Sequence, residues 1–246
     1  MKTTGNTILI TGGATGIGLA IAKRFADLGN SVIICGRRTD KLAEVSNASP
    51  KIQTIKCDIT NASDRAELSE LINTSFPKLN MLVNNAGIQR PLDLKKGTED
   101  PTSNREIETN LISQIQLCAL FIPILSKQKQ SAIVNVTSGL GIVPMANYPV
   151  YSATKAALRS FTMSLRHQLK GTPIKVFDLI PPLVHDTYLH GEPLKAEQWT
   201  VSSADVAESL VKGMEADIFE IPVGSTSRWL AASKEDRDKA FQEINR

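Results

Sequence analysis

The fold of this chain is indicated first by the stretch ILITGGATGIG, which runs from Ile8 to Gly18. Its first three residues are a short apolar run, typical of a strand buried in a parallel sheet. Apolar residues then recur at helical spacing from Leu19 to Leu28. A strand, a glycine turn and a helix predict a phosphate-binding turn, because glycines allow close backbone approach and a helix N-terminus attracts anions. The outer glycines are one residue further apart than in G-x-G-x-x-G, so a tight turn without a ligand is the alternative.

Six more apolar runs follow along the chain and alternate with helical patterns. The predicted strands are residues 32–35, 52–57, 81–83, 132–136, 174–180 and 218–223. The longer predicted helices are residues 64–76, 104–127, 150–169 and 204–214, with a further helix at 234–244. This alternation predicts an α/β protein with a single doubly wound Rossmann-type domain over residues 1–246. Its central parallel sheet would have about seven strands, and a short charged tail would begin near residue 224.

Composition excludes several classes of protein. The net charge of +3 is carried by scattered lysines and arginines, which argues against nucleic acid as the main partner. Cys35, Cys57 and Cys118 have apolar neighbours and form no C-x-x-C pair, so we expect them to be reduced. We find no apolar run of 18 residues or more and no room for a signal peptide before the first strand. The expectation is a cytoplasmic protein without a membrane span.

Unusual residues follow the ends of six predicted strands. They are Gly12, Arg37, Asp58, Asn85, Ser138 and Pro181. Because the carboxyl ends of parallel strands share one edge of an open sheet, and ligands bind at that edge, we expect these residues to form one site.

A possible catalytic pair lies in the helix predicted at 150–169. Tyr151 and Lys155 are four residues apart and therefore share one helical face. A phenol has a pKa near ~10, and a nearby ammonium is expected to lower it. A tyrosine of this kind can give a proton to a carbonyl oxygen or take one from an alcohol. The alternative for so short a pattern is a buried tyrosine with an unrelated surface lysine.

Taken together, these motifs resemble the short-chain dehydrogenase/reductase family over residues 7–181. The resemblance is carried by Thr11–Gly18, Asp58, Asn84–Gly87, Asn110, Ser138, and Tyr151 with Lys155. Within the family, the strings Cys35–Arg38, Thr137–Leu140 and Pro149–Leu158 are similar to the DltE-type oxidoreductases.

The resemblance implies hydride transfer between a nicotinamide cofactor and a carbonyl or secondary alcohol. Tyr151 would be the acid/base, and Lys155 would hold the nicotinamide ribose and lower the tyrosine pKa. Ser138 would donate a hydrogen bond to the substrate oxygen, unless it only caps the next turn. Asn110 would join a proton relay, unless it is a helix-interior asparagine bonded to backbone. The alternative function is a catalytically idle dinucleotide-binding regulatory or scaffold protein.

The resemblance also implies a set of cofactor-binding residues. Asp58 would meet the adenine amino group and Asn85 the adenosine side of the cofactor. A purely structural role for Asn85 between strands is the alternative, and that role could coexist with cofactor contact. Thr187 comes later than the threonine usual in the family, so Val184 is the expected neighbour of the nicotinamide. The full set is Gly12, Ala14, Thr15, Gly16, Ile17, Gly18, Arg37, Arg38, Asp58, Ile59, Asn85, Ala86, Gly87, Tyr151, Lys155, Pro181 and Val184.

The cofactor preference is read from the end of the second strand. An NAD enzyme would offer a carboxylate there to the ribose hydroxyls, whereas this chain has Gly36, Arg37 and Arg38. We therefore expect NADP(H) to be preferred, with NAD(H) possible. Solvated arginines at a helix start, with no ligand, are the alternative.

The remaining expectations concern loops, metals and assembly. Substrate specificity is expected in residues 88–103, 139–150 and 183–202, the last of which would close over the site. We expect no metal site, because the histidines of that loop have no third ligand in sight. The helices near 104–127 and 150–169 could form a homodimer.

Overall fold

The structure is a computed structural model that describes residues 1–97, 102–187, 189, 195–197 and 199–245. Within these residues, seven parallel strands form one sheet in the spatial order 3-2-1-4-5-6-7. They are β1 (Thr7–Thr11), β2 (Ser31–Gly36), β3 (Ile52–Lys56), β4 (Met81–Asn84), β5 (Ser131–Val136), β6 (Ile174–Ile180) and β7 (Glu220–Pro222). The predicted doubly wound α/β fold is confirmed.

Helices cover both faces of this sheet. They are α1 (Gly16–Asp27), α2 (Thr39–Ala48), α3 (Ala62–Ser75), α4 (Thr102–Ile107), α5 (Ser113–Leu125), α6 (Pro149–Gln168), α7 (Ser203–Glu215), α8 (Thr226–Glu235) and α9 (Arg237–Ile244). Alternate residues of each strand face opposite layers. Ile8 and Ile10 pack in the same apolar layer as Phe25 of α1, whereas Leu9 packs with Phe121 of α5 on the other face.

The long helix predicted at 104–127 is interrupted in the structure. A π-turn over Glu108–Ile112 separates α4 from α5, and Asn110 lies inside it. The combined segment Thr102–Leu125 is apolar enough to cross a membrane by length and composition, with a mean hydropathy of 1.3. Leu117 and Phe121 of this segment are nevertheless fully buried in the core. A core helix passes the same length test, so the segment is weak support for a membrane span.

The C-terminal region differs from its prediction in two ways. The last strand is shorter than residues 218–223, because Ile218 and Phe219 lie in the connection between α7 and β7 and are partly exposed. The tail forms α8 and α9, which pack against the loop that follows β5. There the Asn245 side chain donates to the carbonyl oxygen of Pro144 at 3.0 Å.

Asn30 is a buried side chain on which the start of the sheet depends. Its Oδ1 accepts from the Asn6 amide, and its Nδ2 donates to the carbonyl oxygens of Thr3 and Phe25, each at 2.8 Å. We predict that Asn30→Ala lowers the free energy of unfolding by about 2–4 kcal/mol, because buried backbone groups lose their partners. Urea denaturation measures this. Asn47→Ala, at an exposed helix position, is the matched control, and an equal loss in both variants would contradict the prediction.

Candidate active site

The glycine turn after β1 and the polar turn after β4 hold each other at the carboxyl edge of the sheet. Asn85 Nδ2 donates to the carbonyl oxygens of Thr11, at 2.9 Å, and Gly12, at 3.2 Å. The amides of Asn85 and Ala86 donate back to Thr11 Oγ1 at 3.0 and 3.1 Å. Asn85 therefore has a structural role between the two turns, and its contact with the cofactor stays a prediction.

Close packing explains the glycines of this turn. Gly12 has a φ of +64°, a backbone conformation that residues with a Cβ atom rarely adopt. A Cβ atom on Gly18 would lie 2.4 Å from Asn85 Nδ2 and 2.6 Å from the Gly12 carbonyl oxygen. The turn therefore admits no larger residue at Gly18 without displacing Asn85.

Helix α1 begins at this turn with its N-terminus uncapped by a side chain. Thr15 is the N-cap residue and, within the described chain, its side chain makes no capping hydrogen bond. Its hydroxyl instead accepts from Arg38 Nη2 at 2.8 Å. The first-turn amides and the positive end of the helix dipole are therefore available to an anion.

A cationic cavity of about 150 Å³ adjoins the end of β2. It is lined by Arg37, Ile88, Arg90, Thr102 and Arg105. Arg37 Nη1 lies 3.7 Å from the Asp58 carboxylate. Partial burial raises the pKa of Asp58, but hydrogen bonds from Thr60 and the charge of Arg37 outweigh it and leave that pKa below its usual value. The sequence patterns did not indicate Arg90 and Arg105, because neither residue directly follows a predicted strand.

The candidate catalytic pair, Tyr151 and Lys155, is buried on one face of α6. Tyr151 is 6% exposed and Lys155 is 3% exposed, so the lysine is not a surface residue. The Lys155 ammonium lies 5.6 Å from the centroid of the Tyr151 ring. It donates to the carbonyl oxygen of Val136, the last residue of β5, at 2.7 Å.

Burial dominates the pKa values of this pair. It raises the pKa of Tyr151 to about 12, against a lowering hydrogen bond from Ser138, and the charge of Glu106 raises it further. Burial also lowers the pKa of Lys155 to about 8, although the charge of Asp178 opposes this. The tyrosine pKa therefore moves upward, opposite to the expected lowering by Lys155. The physical reason is desolvation of the phenolate in a site where the lysine is itself desolvated and bound to Val136.

Ser138 and Asn110 combine site contacts with structural bonds. Ser138 Oγ reaches Tyr151 and also accepts from the Leu140 amide at 3.1 Å, as in the capping alternative. The Asn110 side chain bonds the amide and carbonyl of Ile88 at 2.9 and 2.8 Å. This is the backbone-bonded alternative, and the proton relay stays a prediction.

The segment after β6 reaches the glycine turn. A Cβ atom on Gly16 would lie 3.2 Å from Thr187 Cγ2, so Thr187 borders the glycine turn. Val184, the neighbour expected from the sequence, is buried and pairs with Val201. The Pro181 carbonyl oxygen accepts from Gly139. Within the predicted lid at 183–202, residues 188, 190–194 and 198 lie outside the described residues. Residues 98–101 of the predicted specificity segment 88–103 also lie outside them.

Two buried carboxylates near the site were missed by sequence reasoning. Glu106 is 1% exposed and accepts from the Arg90 amide at 3.0 Å. Glu106 is four residues before Asn110, a spacing that places two residues on one face of a predicted helix. That spacing was the signal for Glu106 available in the sequence. Asp178 is fully buried within β6, where it interrupts an apolar run. That interruption was the signal available in the sequence.

Comparison with known sequences gives consistent matches. The model of the family described as short chain dehydrogenase matches residues 6–198. The chain is 45% identical over 249 residues to the uncharacterized oxidoreductase DltE of Bacillus subtilis, covering 100% of this chain and 98% of DltE. It is 32% identical over 181 residues to the NADP-dependent 3-hydroxy acid dehydrogenase YdfG of Salmonella typhi, covering 73% of each chain.

Solved structures share the fold. A short chain dehydrogenase from Burkholderia cenocepacia in complex with NADP superposes with a TM-score of 0.86, covering 99% of both chains at 22% identity. A short chain dehydrogenase/reductase from Burkholderia phymatum in complex with NAD gives a TM-score of 0.85, covering 100% of this chain and 97% of the other at 22% identity.

Proposed function

Because the chain belongs to the short-chain dehydrogenase/reductase family of oxidoreductases, we propose that it is an NADP-dependent enzyme that interconverts a carbonyl group and a secondary alcohol. One observation carries the proposal. The side chains of Ser138, Tyr151 and Lys155 converge in a buried cluster at the edge of the sheet that also carries the glycine turn.

The residues of this edge fit a dinucleotide. The uncapped N-terminus of α1 and the turn from Gly12 to Gly18 suit a pyrophosphate, and Arg37 and Arg38 suit a further phosphate. Lys155 would hold the nicotinamide ribose. When bound, the cofactor supplies or accepts the hydride.

The chain itself supplies the proton and the polar contacts at the substrate oxygen. With a pKa of about 12, Tyr151 keeps its proton near pH 7 and would give it to the substrate oxygen only as that oxygen gains alkoxide character, when it becomes more basic than the phenolate. The Ser138 hydroxyl would donate a second hydrogen bond to the same oxygen and stabilise its developing charge. Burial of the cluster excludes water and strengthens both contacts.

The experiment that tests this function is NADPH depletion with a broad panel of carbonyl compounds. Steady consumption with any of them supports an oxidoreductase. An idle dinucleotide-binding regulatory or scaffold protein would bind NADPH and consume none.

We predict that Tyr151→Phe abolishes turnover but keeps cofactor binding. The variant loses the proton donor while retaining the ring that packs beneath Lys155, so kcat falls by about a hundredfold or more. NADPH affinity, measured by fluorescence titration, stays within about threefold of wild type. A kcat near that of the wild type would remove Tyr151 as the acid/base.

We predict that Arg37→Ala weakens NADPH binding selectively. A charge-assisted bond from a guanidinium to a phosphate is worth about 1.5–3 kcal/mol, so NADPH affinity falls by about tenfold to a hundredfold and NADH affinity barely moves. Arg24→Ala is the matched control, because Arg24 pairs with Glu208 on another part of the surface. An equal loss for both cofactors in Arg37→Ala would leave Arg37 without the proposed role.

We also propose a cytoplasmic homodimer formed through the helices near 104–127 and 150–169. Ile112 and Met163, on these two helices, are apolar and 40% and 52% exposed, and burying such side chains against a second copy would favour association. We expect sedimentation to report a dimer for the wild type and a monomer for Ile112→Glu combined with Met163→Glu. Lys127→Glu, at an exposed residue just beyond α5, is the control, and a wild-type monomer contradicts this proposal.

A further inference from the structure

We propose that Asp178 is a positioning residue whose buried carboxylate holds the end of strand β5 and helix α6 in register. The proposal rests on the catalytic roles proposed above for Tyr151 and Lys155. Asp178 has no contact with the substrate in the proposed mechanism. Its effect on the reaction would therefore pass through the groups it binds.

The contacts of Asp178 join three elements. Its Oδ1 accepts from Thr137 Oγ1, just after β5, at 2.5 Å. Its Oδ2 accepts from Arg159 Nη1 of α6 at 2.8 Å. The other guanidinium nitrogen of Arg159 donates to Glu220 Oε2 of β7 at 2.9 Å. The carboxylate is therefore a junction between the sheet and the helix that carries the catalytic pair.

Thr137 lies between two residues that contact the catalytic pair. The carbonyl oxygen of Val136 accepts from Lys155, and the hydroxyl of Ser138 reaches Tyr151. Successive side chains of an extended segment point to opposite sides, so Thr137 turns inward to Asp178 while Ser138 faces the site. Fixing Thr137 therefore fixes the groups on both sides of it.

Helix α6 is attached to the sheet at several points along its length, and the two nearest to Tyr151 are made by Lys155 and Arg159. Tyr151, Lys155 and Arg159 are spaced by four residues and share one helical face. Lys155 is bound to Val136 and Arg159 is bound to Asp178, one helical turn apart. Thr162 and Arg166, further along the helix, bind Asn135 and Val176. The Arg159–Asp178 bond is therefore the attachment next to Lys155, and it sets the position of the part of the helix that faces Ser138. Displacement of a catalytic group by about 1 Å can cost about a hundredfold in rate.

The energetics favour a positioning role over one in stability alone. Asp178 is fully buried, and a buried ion pair is often no more stabilising than apolar residues of the same volume. Burial raises its pKa to about 6, against the Thr137 hydrogen bond and the charge of Arg159. Above that pH the carboxylate is charged, and its charge raises the pKa of Lys155.

Other charged groups in this region act on different members of the network. Glu220 raises the pKa of Asp178 and Arg166 lowers it, while Glu106 from α4 acts on Tyr151. Asp178 is the charged group that acts on Lys155. A substitution at Asp178 therefore reports the effect of this carboxylate on the pKa of Lys155, separately from the effects of Glu220, Arg166 and Glu106.

The first test is an NMR titration of protein labelled at lysine Cε, without added cofactor. The Lys155 resonance is assigned by its loss in Lys155→Arg and is expected to titrate near pH 8. In Asp178→Asn we expect that midpoint to fall further. In Glu220→Gln, which removes an equal charge from the far side of Arg159, we expect it to stay unchanged. An unchanged midpoint in Asp178→Asn would overturn the electrostatic part of the proposal.

The second test keeps the buried ion pair intact. Thr137→Val removes only the hydroxyl that joins Asp178 to the end of β5. This variant therefore tests the proposal even if Asp178→Asn does not fold. We expect kcat to fall by about tenfold to a hundredfold while NADPH affinity changes by less than about threefold. Thr137→Ser, which restores the hydroxyl, should recover most of kcat.

The outcomes separate this proposal from the proposed function. If Thr137→Val loses stability while kcat and the Lys155 titration match the wild type, the network is structural and the positioning role is overturned. If the wild type reduces no carbonyl in the panel, the proposed function fails. The Lys155 titration of Thr137→Val and Asp178→Asn then decides the positioning role, and a wild-type midpoint in both overturns it.

Discussion

The carboxyl edge of the parallel sheet is the constraint on which the rest of the structure depends. Parallel strands end together, so residues far apart in the chain meet where β1, β4, β5 and β6 stop. Thr11 and Asn85 are 74 residues apart, yet their side chains and backbones bind each other across this edge. The glycine turn and the catalytic cluster therefore share one rigid support.

Polar groups inside the molecule connect this support to α6. Asn84 donates to Asn135 Oδ1 at 2.9 Å, and Asn135 donates to Thr162 Oγ1 at 2.8 Å. With the Asp178–Arg159 pair, these bonds give the helix a specific position that apolar packing alone leaves adjustable. Each bond in such a buried polar network restricts the arrangements open to its neighbours.

Burial, more than proximity, sets the pKa values of Tyr151 and Lys155. A tyrosine and a lysine in water would differ little from their ordinary pKa values, and attraction would favour both charged forms. In the protein both charged forms lose solvent, so the pKa of Tyr151 rises and that of Lys155 falls. At neutral pH the pair is thus a neutral phenol beside an ammonium whose pKa is about 8.

Local patterns in the sequence were sufficient for the fold and pointed to many residues of the candidate site. Periodicity located the seven strands, the strand ends pointed to Gly12 and Ser138, and the four-residue spacing pointed to Tyr151 with Lys155, because these signals depend on neighbours in the chain. The sequence could not reveal the π-turn at Asn110, the approach of Thr187 to Gly16, or the link from Asp178 to Thr137. Each depends on contacts between distant segments. Only the tertiary structure determined the direction of the tyrosine pKa shift, because burial is a property of the whole packed domain.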